Sequence, residues 1–199
     1  MVAAAVVLRN ERLPARIDDS KRLTSAQRAR AFHVILEHAG VGFGIVCAEE
    51  IDRRNILHAT LLAMQHAILD LPQPARLILV DGTVSPPVST PCWPIVHGDQ
   101  RSYVISCASI MAKVLRDRLM EFYHTLFPRY GFNRHKGYGT ALHATRLHAL
   151  GPSPLHRRSF RPVAEAIAAL TRFQTSNETI VVAPVPPSQA VAEEASLAV

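Results

Sequence analysis

Two aspartates stand where an acid can act. Asp81 closes the run "RLILVDG" just before Gly82, and Asp99 follows "PIVHG" 18 positions later (99 − 81). Both runs are short and apolar and read as strands, with Pro94 at a first position that tolerates it. In open α/β sheets ligands gather at the carboxyl ends of strands, so acids at two such ends can share a site. Carboxylate oxygens suit hard Mg2+ or Mn2+, and phosphoryl chemistry uses these ions to activate water and support the leaving oxygen. Simpler roles stand beside this one: Asp81 can cap a turn with Gly82, and Asp99 can cap the helix that follows it.

A second constellation is "HKGYGT", where Tyr138 lies between Gly137 and Gly139, directly after Lys136. Glycines cannot bury a ring by their own packing, and a ring flanked by cations suits stacking on a sugar or base beside phosphates. Arg157 and Arg158 in "HRRSF" and Lys21 in "DSKR" add further cations in loops. Each basic cluster alone is also explained as solvated surface charge, and Tyr138 as a ring folded onto the core. Asp117 follows Lys113 by four residues on a helix, the spacing of an ion pair. Glu49, Glu50 and Asp52 lie at a helix start, where they favour the dipole. The ten histidines are scattered, without metalloprotease spacing.

The elements that must position these residues alternate. A strand is expected over 2–8 and a helix opened by the Thr24–Gln27 capping box and closed by Gly40. A strand over 41–48 follows, then a helix over 53–70 with a seam of Leu57, Leu61, Met64 and Ile68. The strands ending in Asp81 and Asp99 come next. A long helix then buries a stripe of Ile105, Ala108, Ala112, Leu115, Leu119, Phe122 and Leu126. Two shorter helices are expected near 140–150 and 162–173. Together these make one α/β domain over 1–173 around a partly parallel sheet, with a tail of little order over 174–199. The 199 residues suffice for one core, and a net charge of +6 permits a polyanion partner. Three widely spaced cysteines fit a reduced, cytoplasmic protein, and no apolar run reaches the length of a membrane span.

The blocks "DDSKRLT", "EEIDRRNILHATLLAMQ", "LILVDG", "HGDQR", "SCASIMAKVLRDRLM", "FPRYGFNRHKGYGT" and "HRRSFRPV" resemble bacterial ribonuclease HII in order and spacing, over residues 1 to about 168. The resemblance implies a ribonuclease H-like fold: a mixed central sheet flanked by helices, with an added C-terminal helical part. It implies a monomeric endoribonuclease that cleaves RNA in RNA–DNA hybrids and cuts 5′ to single ribonucleotides in duplex DNA. The implied cofactor is Mg2+ or Mn2+ held by four carboxylates, two of which match Asp81 and Asp99. Tyr138 matches the family's junction-reading tyrosine and Lys21 its phosphate-contacting lysine, while Asp117 matches no catalytic position. The other two carboxylates belong to an Asp-Glu pair in a D-E-x-G-R-G stretch on the family's first strand. The apolar run 2–8 matches the family's second strand, so the expectation is a longer frame in which that first strand precedes Met1. A hybrid-binding protein that lacks half its carboxylates is the rival reading. An α/β enzyme acting on a small phosphate ester is a third.

Overall fold

The structure, a computed structural model, describes residues 1–9 and 12–177, with side chains through 172. The chain begins with β1 (Val2–Leu8), which pairs antiparallel with β2 (Ala39–Ile45) from Val2 opposite Ile45 to Leu8 opposite Ala39. Alternate residues of β1 serve two apolar clusters. Ala4, Val6 and Leu8 pack on the core built with α1 (Ser25–His38) and α5 (Tyr103–Leu126). Met1 and Ala3 pack on the opposite one, with α2 (Ala48–Arg54) and α3 (Ile56–Leu69). An unbroken apolar run is what a strand covered by helices on both faces requires.

Strand β2 reads "AGVGFGI", and its alternation decides how closely the next layer approaches. Val41 and Phe43 face the α1/α5 core, while the glycines face α3. A Cβ on Gly42 would stand 2.2 Å from the Ala67 carbonyl oxygen, and one on Gly44 1.9 Å from that of Ala63. The helix backbone therefore lies directly on the strand, and its buried face is Ala59, Ala63 and Ala67. The expected leucine seam is not the buried one: Leu57 is half exposed.

The capping box forms with both of its bonds, Gln27 N–H to Thr24 Oγ1 (3.2 Å) and Thr24 N–H to Gln27 Oε1 (2.9 Å). The helix ends at His38, before Gly40, because Ala39 is already extended and pairs with Leu8. The single helix expected over 53–70 is two helices. Asn55 turns left-handed (φ 71°) and its side chain accepts Leu57 N–H and His58 N–H, capping α3.

The remaining strands are β3 (Ile78–Asp81) and β4 (Cys92–Ile95), parallel and in register from Ile78 opposite Cys92 to Asp81 opposite Ile95. The strand expected over 94–99 thus lies two residues earlier, and α4 (Gly98–Arg101) follows it. Among the described residues the sheet is mixed and split into these two pairs. Between β1 and β3 runs a slot of about 780 Å3, lined by both strands, by Thr60, Met64 and Ile68 of α3 and by Ile105, Ala108 and Ala112 of α5. That accounts for three of the seven residues of the stripe expected on α5. Of the stripe Ile105 alone is buried; the rest of the sealed apolar face is Cys107, Ile110, Met111 and Val114, and Phe122 and Leu126 are exposed.

Beyond α5 a 3-10 turn (Pro128–Tyr130), α6 (Phe132–His135), α7 (Ala141–Leu150) and α8 (Arg161–Asn177) form the C-terminal part. Leu147, Val163 and Ala166 make its small core. Helix α8 outlasts the expected end at 173, and the expected tail lies, from 178 on, outside the described residues.

Candidate metal centre and nucleic-acid face

Asp81 is the last residue of β3, and its Oδ1 accepts the Gly98 N–H at 2.8 Å, the first amide of α4. The chain enters α4 through His97 in a left-handed conformation (φ 54°). The turn brings the Gly98 amide to Asp81 and places Asp99 beside it. A Cβ on Gly98 would stand 3.3 Å from Asp81 Oδ1 and 2.7 Å from Ile105 Cδ1, so glycine lets the turn close. Asp99 is buried, its backbone carbonyl accepting Ser106 Oγ–H at 2.8 Å. Asp81 is exposed at the rim. The turn-capping role of Asp81 is therefore real, but its partner is the amide of α4 and not Gly82.

The 18–23 loop is tied down against this turn. Arg28 donates to the Ser20 and Leu23 carbonyls, and Ser20 Oγ meets Ser109 Oγ at 3.1 Å. Asp19 Oδ1 accepts Lys21 N–H (2.9 Å) and its Oδ2 receives Gln100 Nε2–H (3.4 Å). Lys21 Nζ thereby comes 3.4 Å from Asp99 Oδ2. The hydrogen bond and charge of Asp99, then the charges of Asp19 and Asp81, hold the Lys21 ammonium above its ordinary pKa. Asp19, buried and unremarked in the sequence beyond its block, is the missed member of this cluster. Its only signal was an acid two residues before a lysine.

The donor chemistry suits a hard cation. Asp81 Oδ2 and Asp99 Oδ1 make no hydrogen bond among the described residues, so each acid keeps an oxygen for coordination. No cluster of three metal-ligating side chains exists among those residues. Two carboxylates fit one Mg2+ or Mn2+ whose other positions go to water and phosphate oxygens, and they do not build an all-protein cage.

The second constellation assembles on α5, about three turns past its start. Tyr138 is 52% exposed, so it does not fold onto the core. Its ring lies 5.1 Å from Lys113 Nζ and 5.0 Å from the Arg116 guanidinium, within cation–π range. Lys113 also forms the expected ion pair with Asp117 at 2.8 Å. Arg116 donates to the Lys136 carbonyl at 2.7 Å, fixing the loop on the helix. Lys136 is not a free cation: it pairs with Glu121 at 2.6 Å. Arg157 stacks over Phe160 at 5.0 Å, close enough to Met1 that it and Arg116, after burial, depress the terminal ammonium's pKa. Arg158 and Ser159 donate their backbone N–H groups to Asp52, which tethers α2 to this loop and is not merely a helix-start charge. Sequence reasoning missed Lys113 and Arg116, a pair of cations three apart on the long helix and outside the expected stripe.

Comparison with known proteins shows the family and the fold. The sequence model described as Ribonuclease HII matches residues 1–163. The ribonuclease HII of Chloroflexus aurantiacus is 51% identical over 176 residues, covering 85% of this chain and 83% of that one. That of Rhizorhabdus wittichii is 48% identical over 165 residues, covering 83% and 82%. In fold, the chain is similar to ribonuclease H2 from Pyrococcus horikoshii (TM-score 0.67, 20% identity, 86% of this chain and 100% of that one). It is similar also to the RNase HII solved in complex with PCNA from Archaeoglobus fulgidus (TM-score 0.65, 22% identity, 83% and 88%). The α/β ribonuclease H-like architecture read from the sequence is thus the one the chain adopts, and the chain belongs to the ribonuclease HII family of metal-dependent endoribonucleases.

Proposed function

We propose that this protein hydrolyses the RNA strand of RNA–DNA hybrids and cuts on the 5′ side of single ribonucleotides in duplex DNA, leaving 3′-hydroxyl and 5′-phosphate ends. The observation that carries this reading is the turn that bonds Asp81, at the end of β3, to the start of α4, where Asp99 stands with Lys21 held against it. Asp81 and Asp99 would hold Mn2+ or Mg2+. When bound, a pair of such ions would supply an acidified water and support for the departing 3′-oxygen, one ion for each. Lys21 is positioned to turn from Asp99 to a substrate phosphate. Tyr138 offers an exposed face for stacking, with Lys136, Arg157 and Arg158 taking backbone phosphates beside it. We place the protein in the cytoplasm as a monomer; the free thiols of Cys47, Cys92 and Cys107 support a reducing compartment. No described helix is long and apolar enough to cross a membrane.

We infer further that a strand carrying the family's Asp-Glu pair fills the slot between β1 and β3 and completes a four-carboxylate centre. Its support is the slot itself: two strand edges unpaired among the described residues, an apolar lining, and Asp81 on its wall. That no cluster of three metal-ligating side chains forms among the described residues favours a second reading, hybrid binding without hydrolysis. One assay separates them. The chain is incubated with Mn2+ and duplex DNA containing one ribonucleotide. Cleavage that Asp81→Asn abolishes supports the nuclease, binding without cleavage supports the second reading, and neither refutes both.

A further inference from the structure

Three histidines that the sequence left scattered lie together behind Tyr138. His135 and His143 stack with ring centroids 4.2 Å apart and planes within 9°, and His143 Nε2 meets His156 Nε2 at 3.0 Å. Phe132, fully buried, lies against all three rings. None of these histidines faces the carboxylates, and the proposed hydrolysis uses none of them.

Backbone groups at both ends of the chain of contacts fix every proton. The Ser153 N–H can only donate, so His156 Nδ1, 3.0 Å away, is an acceptor; the Ser153 Oγ–H, 2.8 Å from the same nitrogen, then donates to it too, and His156 carries its proton on Nε2. That proton points at His143 Nε2, which must be bare. His143 then carries its proton on Nδ1 and donates it to the Tyr138 carbonyl at 3.0 Å, a group that can only accept. The third ring obeys the same logic. His135 Nε2–H donates to the Tyr130 carbonyl (2.9 Å), and its Nδ1 accepts the Gly137 N–H (3.1 Å). The Gly137 N–H and the Tyr138 carbonyl are thus held by imidazoles, while the Tyr138 ring lies against Lys113 and Arg116 and stays half exposed.

We propose that His135, His143 and His156 are positioning residues: a relay of three neutral imidazoles that sets the backbone of Tyr138 and so aims its ring at the nucleic acid. This rests on the reading that Tyr138 contacts the substrate. A proton added to any ring meets a donor already in place: the Ser153 N–H at His156, the His156 N–H at His143, the Gly137 N–H at His135. The charged groups around the cluster add to this opposition. Arg116 and Lys113 on α5, Lys136 after α6, Arg129 in the 3-10 turn and Arg157 before α8 are cations, and Glu121 is occupied by Lys136. Burial is the leading cause that depresses the pKa of both His156, to about 4, and His135.

Two substitutions at one position separate aiming from folding. His143→Asn keeps an amide N–H where Nδ1 stood, and so keeps the bond to the Tyr138 carbonyl. His143→Gln keeps a polar atom where Nε2 stood and loses that bond. Affinity for a duplex with one ribonucleotide is read by fluorescence anisotropy in Ca2+, so that binding is measured apart from cleavage. His143→Gln is expected to weaken binding about fivefold to tenfold, as Tyr138→Ala does, and His143→Asn less than twofold. If Tyr138→Ala binds like the wild type, the reading of Tyr138 as a substrate contact falls. If Tyr138→Ala weakens binding and His143→Gln does not, the relay falls alone. Nitrogen NMR of the wild-type histidines needs no variant: the relay requires the Nδ1–H tautomer for His143 and Nε2–H for His135 and His156, and an Nε2–H tautomer at His143 overturns it.

Discussion

Replacing Lys21 with methionine tests whether this lysine holds the cation position beside Asp99. The two charges are 3.4 Å apart. Coulomb attraction at that distance is about 1.2 kcal/mol in a water-like dielectric and about 5 kcal/mol at an effective dielectric of 20. The lysine side chain is 77% exposed, which selects the lower figure, and solvent screening trims it to about 1 kcal/mol. A divalent ion entering at Asp99 must displace that ammonium. Lys21→Met therefore removes a competitor, and Mn2+ is expected to bind about fivefold more tightly. Because folding holds the lysine pKa above its ordinary value, the pair is intact throughout neutral pH and is lost only above about pH 10.5. Calorimetric titration with Mn2+ at pH 8 therefore compares a charged Lys21 with none. The melting temperature should move little, and affinity for the ribonucleotide-containing duplex should fall as the phosphate contact is lost. Unchanged or weaker Mn2+ binding in Lys21→Met would refute the assignment of the lysine to that position.

Other substitutions probe the layers beneath the site. Gly44→Ala drives a methyl to within 1.9 Å of the Ala63 carbonyl, backbone against backbone, and should cost at least about 3 kcal/mol, read as a large fall in denaturant midpoint. Gly139→Ala has open space and should leave the melting temperature unchanged. Asp52→Ala frees the loop that carries Arg157 and Arg158 and should destabilise by about 1–2 kcal/mol in urea unfolding, because two N–H donors lose their partner. With pH, the depressed His156 pKa means that the unfolded chain takes up the proton first. Stability should be complete above about pH 6.5 and fall by about 2–4 kcal/mol as the pH drops to about 4; a flat profile in that window contradicts the neutral, buried imidazole.

What the sequence revealed was local or one-dimensional. Thr24 and Gln27 are three residues apart and make their cap by themselves, and Lys113 and Asp117 pair within one helix turn. Asp81 and Asp99 were visible because strand ends are marked by where apolar runs stop. The left-handed Asn55 that divides α2 from α3 was hidden inside an otherwise continuous helical pattern. The stripe on α5 was misread because periodicity reports that a face is apolar, not which apolar face meets a neighbour. Alanines at 108 and 112 line an open slot, while Cys107 and Met111 beside them are sealed. Asp19 meets Gln100 across 81 positions (100 − 19) and the three histidines meet one another across 8 and 13 (143 − 135 and 156 − 143), and nothing in their spacing signals it.

The slot between β1 and β3 also divides the molecule into a part that holds its shape and a part that holds its chemistry. Both large apolar clusters gather around β1 and β2. On the other side, Val80 is the single buried residue of β3, and Asp81 follows it directly. Amide exchange should then be slowest in the first pair of strands and faster in the second. A melting curve will report on the half without the carboxylates. Stiffening the bridge between the two strand pairs would leave that curve nearly unchanged while altering how firmly a cation is gripped.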